Sequence, residues 1–139
     1  MVIEMKLNKE PFDAIALGRK TIELRLYDEK RRKLNIGDEI IFTNLKDRSE
    51  RLAVRIKALF RYETFEELFS EISLEKCGFN GASPAEAAAD MREYYSDKKI
   101  RQYGVLGIRM ELVSLDETLK KQEKIREAEF ERLFPDGMK

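Results

Sequence analysis

Histidine is absent from the 139 residues, and cysteine occurs once, at Cys77. The first absence removes the commonest general base and the commonest transition-metal ligand, so Ser-His-Asp and Cys-His catalysis are excluded. The second excludes a disulfide framework and a cysteine-based zinc site. Cys77 by itself reads as a small packing residue rather than a nucleophile. No Asp/Glu spacing resembles a metal loop, so neither metal nor cofactor is expected. No apolar run approaches the ~20 residues that span a membrane. Met1 to Leu7 carries Glu4 and Lys6 and is too short for a secretory leader. A cytoplasmic protein with no membrane partner is the expectation. An excess of one charge is missing too, because Lys+Arg and Asp+Glu both number 27. Global charge therefore predicts no pull toward nucleic acid or lipid, and any basic footprint must be local.

What is there fits one domain. Hydrophobic residues make up 42% of the chain, which argues against wholesale disorder. Gly18 to Arg25, read Gly-Arg-Lys-Thr-Ile-Glu-Leu-Arg, is the most informative stretch. A short helical pattern stops at Gly18, and Ile22, Leu24 and Leu26 then alternate with Glu23, Arg25 and Tyr27. That is the period of a half-buried strand. Thr21, Glu23, Arg25 and Tyr27 share one face, and Lys20 stands where the chain turns, free to reach either side. Charged residues at a strand mouth can hold a polar ligand, or they can be the solvated charges of an edge strand. From Arg19 to Lys33 the basic residues Arg19, Lys20, Arg25, Lys30, Arg31, Arg32 and Lys33 outnumber Glu23, Asp28 and Glu29. Such a cluster suits phosphates, or is a solvated loop balanced by acids brought near in the fold.

The remaining pattern is strand-rich. Val2 to Leu7 alternates weakly, and Asn8 with Pro11 opens a helix through Phe12, Ile15 and Ala16. Asp28 to Lys33 reads as a polar bend with one helical turn, and Leu34 to Asp38 as a turn. Glu39 to Asn44 and Arg51 to Tyr62 read as strands joined by a charged hairpin loop. Period two puts Leu52, Val54, Ile56, Ala58, Phe60 and Tyr62 on one face, with Arg55, Lys57 and Arg61 on the other. Thr64 and Ser83 cap two helices, each with a glutamate three residues on, the second running to about Tyr95. Ser96 starts a last short turn before Tyr103-Gly104. Val105 to Val113, almost continuously apolar, is a central strand. Lys, Glu and Arg then dominate a terminal helix up to Phe134, with Leu119, Ile125 and Phe130 as sparse anchors. This helix is solvated, docked on the barrel, or the interface of a homodimer. The expected class is α+β: about five strands, largely antiparallel, in a small mixed barrel with short helices at its ends.

The chemistry open to these residues is narrow. A lysine crowded by cations loses its proton more readily, whereas a carboxylate beside it keeps it charged. Glu23 therefore argues for Lys20 as an anion-binding cation rather than a base. Thr21 is a nucleophile only with a base in reach. Tyr94, Tyr95 and Tyr103 can stack on nucleobases or pack the rim of a barrel.

Gly18-x-Lys20-x-x-Glu23-x-Arg25, then Gly37-Asp38 before a strand, then Tyr103-Gly104-Val105 into the last strand, resembles the ASCH domain (activating-signal-cointegrator homology). The resemblance covers residues 1–113 and leaves 114–139, the charged helix and tail, outside it. It implies a PUA-like barrel in which Lys20, Glu23 and Arg25 line a cleft between barrel and helices. It also implies RNA or a nucleotide-like molecule as ligand. On that reading Arg19, Lys30, Arg31 and Arg32 extend a positive rim, and Tyr94, Tyr95 or Tyr103 stacks. Glu23 orients the cations or accepts from a base N–H. Some small bacterial members are N4-acetylcytidine amidohydrolases using Lys, Thr and Glu, and ribonuclease activity has been attributed to others. Lys20 matches the lysine. Glu23 occupies the threonine's position, Thr21 is the nearest hydroxyl, and Glu75 is the closest acidic candidate.

Overall fold

The computed structural model describes residues 1–136; of the expected tail, 137–139 lie outside the described residues. Five strands, β1 (Val2–Leu7), β2 (Ile22–Leu26), β3 (Glu39–Asn44), β4 (Arg51–Tyr62) and β5 (Val105–Val113), form one sheet in the order β1-β3-β4-β5-β2. The sheet is a mixed half-barrel. β5 lies between β4 and β2, and its residues Val105 to Ile108 are buried, as its apolar run requires. Three pairings are antiparallel, as expected, and the sheet is mixed because β1 and β3 pair in parallel, Ile3 opposite Ile40. The helix after β1 and the return along β2 supply the long connection that a parallel pair needs.

Helices α1 (Lys9–Ala16), α2 (Phe65–Glu71), α3 (Pro84–Met91) and α4 (Asp97–Tyr103) flank the sheet. Short 3₁₀ turns occur at Arg31–Lys33 and Glu75–Cys77. Thr64, Ser83 and Ser96 each accept a backbone N–H three residues on, and Ser83 with Glu86 forms a full capping box. α3 ends at Met91, earlier than its sequence pattern indicates, and turns lead to Ser96. Two cores result, one per face of the sheet. Phe12 and Ile15 of α1 pack with Phe42, Val54, Ile56, Leu106 and Ile108 on the concave face. Ile22, Leu24 and Leu26 pack on the other face with Phe65, Leu68, Ala88 and Met91.

β4 departs from the alternation read in its sequence. Its pairing with β5 runs Ile56 opposite Met110 and then Ala58 opposite Arg109, so Lys57 is an extra residue. A bulge of this kind reverses the parity of everything beyond it. Leu59 and Arg61 consequently turn to the concave face, Leu59 joining that core, while Tyr62 packs with the helices. Arg61 does not stay with Arg55 and Lys57.

Helix α5 (Leu115–Leu133) is docked over its first turns. Thr118, fully buried, donates to Glu39 Oε1 at 2.7 Å, and Lys121 Nζ reaches Glu39 Oε2 at 2.8 Å. Arg55 completes the clamp through Nε and Nη2 at 3.2 and 2.9 Å. Burial pushes the Glu39 carboxyl up, but these donors together bring it down to about 2. Of the expected anchors, Leu119 is half-buried, whereas Ile125 and Phe130 are exposed. A carboxylate with a depressed value contributes stability above its unfolded pKa, about 4.3. That contribution is lost as pH falls toward the folded value. Glu39→Gln is expected to cost about 1–3 kcal/mol and to speed amide exchange in the first two turns of α5. Unchanged exchange there would show that the helix is held by something else.

Candidate functional site

The first strand and the second stand at opposite ends of the sheet order, and the curl of the sheet brings their ends together. Arg25 Nη2 donates to the Lys6 carbonyl across this gap at 3.0 Å. Beside the gap opens a cleft of about 530 Å³, a size that suits a small ligand. The end of β1 and the start of α1 form one wall, with Lys6, Asn8, Glu10 and Pro11. Lys20, Glu23 and Arg25 form the floor. Cys77 to Phe79 and the stretch Asp90 to Tyr95 supply the opposite side.

Glu23 is buried and accepts four donors. Lys20 Nζ lies 2.8 Å and the Leu24 amide 3.2 Å from Oε1. Arg25 Nε and Nη2 lie 3.0 and 2.9 Å from Oε2. Two donors per oxygen fill a carboxylate's lone pairs. Glu23 therefore orients the two cations and has no capacity left for a base N–H. Burial pushes its carboxyl up, but the charges of Lys20 and Arg25 and their hydrogen bonds outweigh that and hold it below the usual range. The edge-strand reading of these charges fails on burial: β2 ends the sheet, yet Glu23 is only 3% exposed. β2 faces in because Glu23 and Arg25 lie opposite Ile108 and Leu106, and directly paired residues share a face.

Two glycines make the floor possible. Gly18 ends the α1 turn at φ 75°. Gly78, at φ 93°, follows the Glu75–Cys77 turn, and a Cβ there would stand 3.3 Å from Lys20 Cδ. Its bare backbone lets the lysine stem pass into the cleft. The Thr21 amide donates to the Lys76 carbonyl, fixing that turn against the strand.

The other expected site residues divide. Tyr94 and Tyr95 line the cleft. Tyr94 is 67% exposed, a free ring. Tyr95 stacks on Phe65 with centroids 6.2 Å apart, and burial raises its phenol. Tyr103 packs into the helical core and lies outside the cleft lining. Thr21, Arg19, Lys30, Arg31 and Arg32 are outside the lining, as is the exposed Glu75. Arg31 is instead paired to Asp28 at 3.0 Å, and its Nε is buried without a partner among the described residues. The expected positive rim is thus absent from the cleft, whose exposed lining charges are Glu10, Asp90 and Glu93 against Lys6. Those acids, with Asn8 and Phe79, escaped the sequence reading because nothing local ties them to β2. Burial pushes the Cys77 thiol up to about 11, so it is a packed thiol rather than a thiolate. Among the described residues no cluster of three or more His, Cys, Asp or Glu could hold a metal. None of their helices is long and apolar enough to cross a membrane.

Comparison with known proteins settles the family. The ASCH domain family model matches residues 5–114. The chain belongs to the ASCH domain family. The crystal structure of hypothetical protein PH0355 is 35% identical, with a TM-score of 0.73, covering 81% of this chain and 100% of that one. Protein PF0455 from Pyrococcus furiosus, solved by NMR, is 38% identical with a TM-score of 0.66, covering 82% and 99%. The S128A mutant of ZmASCH from Zymomonas mobilis, 16% identical with a TM-score of 0.58 over 85% of this chain and 76% of that one, shares the fold. No curated protein matches the sequence. The half-barrel with its flanking helices is accordingly the PUA-like ASCH fold, and α5 continues beyond the matched segment.

Proposed function

We propose that this ASCH domain binds RNA or a nucleotide-type ligand by taking one base into the cleft. The observation that carries the reading is the pair of cations aimed by a saturated carboxylate. Lys20 gives one contact to Glu23, and Arg25 Nη1 has no partner among the described residues. Both retain N–H donors for an acceptor oxygen of the ligand. Their side chains are 11% and 15% exposed, so a bond made there forms largely out of water. Tyr94 offers a ring for stacking, and Asp90 and Glu93 offer acceptors for amino or hydroxyl groups. The acidic excess in the exposed lining favours a base edge over a run of phosphates at this point.

A hydrolase of modified nucleosides is the competing reading, and it needs a nucleophile or a free base beside Lys20. The described cleft lining contains no serine or threonine, its Cys77 thiol is kept protonated by burial, Glu23 is fully engaged, and none of the lining acids Glu10, Asp90 and Glu93 contacts Lys20. Binding is therefore the better-supported reading. Titration with the four ribonucleosides and a short single-stranded RNA tests it. Lys20→Gln and Arg25→Gln, each checked for folding by circular dichroism, are expected to weaken binding about tenfold or more, the worth of one charge-assisted hydrogen bond. Wild-type affinity in both variants would remove the site. Turnover of an acylated cytidine that vanishes in Lys20→Gln would replace binding with catalysis.

A further inference from the structure

The geometry points to a second, phosphate-binding site on the concave face, built by Tyr27, Arg32 and Arg61. It rests on the cleft taking a base, and it says where the rest of the strand runs. The parity change at Lys57 is what creates it, because it turns Arg61 inward. Arg61 lies opposite Leu106, and Leu106 lies opposite Arg25, so the two arginines flank one residue of β5 on the same face. Tyr27 follows Arg25 by two residues on that face, about 7 Å further along. The guanidinium carbons of Arg61 and Arg32 stand 4.6 and 5.2 Å from the centre of the Tyr27 ring. Arg32 Nε also donates to the Tyr27 carbonyl, which fixes its stem.

What distinguishes these two arginines is the aromatic ring they share, with no described acid holding either. Among the described residues neither makes an ion pair, although Arg25, Arg31, Arg55 and Arg92 all do. The nearby Asp28 is already held by Arg31. Both arginines are exposed, and Tyr27 is half-buried against the core. Two planar guanidinium groups on one ring, with their terminal N–H groups free, suit the oxygens of a phosphodiester. The cleft lining carries Glu10, Asp90 and Glu93, whereas this platform, just past the end of β2, presents two cations unpaired among the described residues. A base in the cleft and the adjoining phosphate on Tyr27, Arg32 and Arg61 divide recognition between the two sites.

The experiment compares a short fluorescein-labelled single-stranded RNA with its component ribonucleosides over about 50–200 mM salt. Full-length wild type, Arg32→Gln/Arg61→Gln, Arg61→Gln alone and Lys20→Gln/Arg25→Gln are used, with melting temperatures confirming the fold. The platform predicts that wild type binds the RNA more tightly than any nucleoside. Arg32→Gln/Arg61→Gln should weaken RNA binding about tenfold, with Arg61→Gln intermediate. The slope of log affinity on log salt should become shallower by about 0.7 for each phosphate no longer neutralised, with nucleoside affinity unchanged. An unchanged RNA affinity and slope in Arg32→Gln/Arg61→Gln overturns the platform and leaves the cleft standing. RNA bound by wild type no better than a nucleoside does the same. Loss in Arg32→Gln/Arg61→Gln with wild-type RNA binding in Lys20→Gln/Arg25→Gln supports the platform and overturns the cleft. No binding of either ligand by wild type overturns both.

Discussion

Replacing Glu23 by alanine is expected to lower the free energy of unfolding by about 3–5 kcal/mol, the cost of removing one partner from a buried ion pair. The residue is 3% exposed and its two cations are nearly as covered. Alanine would leave Lys20 and Arg25 side by side without a counter-charge and strip the Leu24 amide of its acceptor, Oε1. Against this stands the relief of desolvating one carboxylate, which is smaller because the cations remain enclosed. Urea unfolding at neutral pH measures the effect, and a loss below about 1 kcal/mol would class the triad with ordinary surface pairs. In the wild type the depressed Glu23 carboxyl contributes stability that is present above its unfolded pKa, about 4.3. That contribution disappears as pH falls through the folded value, which lies lower.

Removing both cations should reverse that pH dependence. In Lys20→Met/Arg25→Met the carboxylate keeps its burial and the Leu24 amide but loses three of its four donors. Burial then dominates and raises the folded pKa above the unfolded one. The sign changes with it: the acid form is favoured by folding, so stability is present below about pH 4 and is lost as pH rises through the folded pKa. Urea midpoints at acidic and neutral pH distinguish the two signs directly. Glu39 adds the same acid-side rise to both proteins, so the gap between the wild-type and variant midpoints is what reports Glu23, and it widens from acidic to neutral pH. Parallel profiles would mean that Glu23 is solvated in a way its burial denies. The variant also separates the two roles of the triad, since it removes the donors offered to a ligand while retaining Glu23.

The order of elements was legible in the sequence because it rests on local signals. Gly18 at the end of α1, the capping residues Thr64 and Ser83, and the alternation in β2 all act within a few residues of themselves. The grouping of Glu23 with Arg25 on the face opposite Leu24 was legible for the same reason, but the burial of that charged face was not, because alternation alone does not say which side is covered. What escaped depends on contacts made at a distance. The parallel pairing of β1 with β3 leaves no mark in either strand, since both would serve an antiparallel sheet equally well. The bulge at Lys57 is one residue in a continuous β-rich run, and strict alternation read across it puts Arg61 on the wrong face. The basic stretch Arg19 to Lys33 looked like one rim. Folding distributes it: Lys20 and Arg25 go to Glu23, Arg31 goes to Asp28, and Arg32 goes to Tyr27. The far wall of the cleft comes from Cys77 to Phe79 and Asp90 to Tyr95, more than fifty residues beyond the floor, and only the fold brings them there.

Heteronuclear NMR titration of the ¹⁵N-labelled full chain with ribonucleosides and short single-stranded RNA tests the cleft most directly. The account predicts saturable shifts that are largest at the amides of Lys20, Leu24, Arg25, Gly78 and Tyr94, lost together in Lys20→Gln/Arg25→Gln. Saturable shifts confined to α5 or to the outer face of the helices, with the floor of the cleft silent, would contradict it.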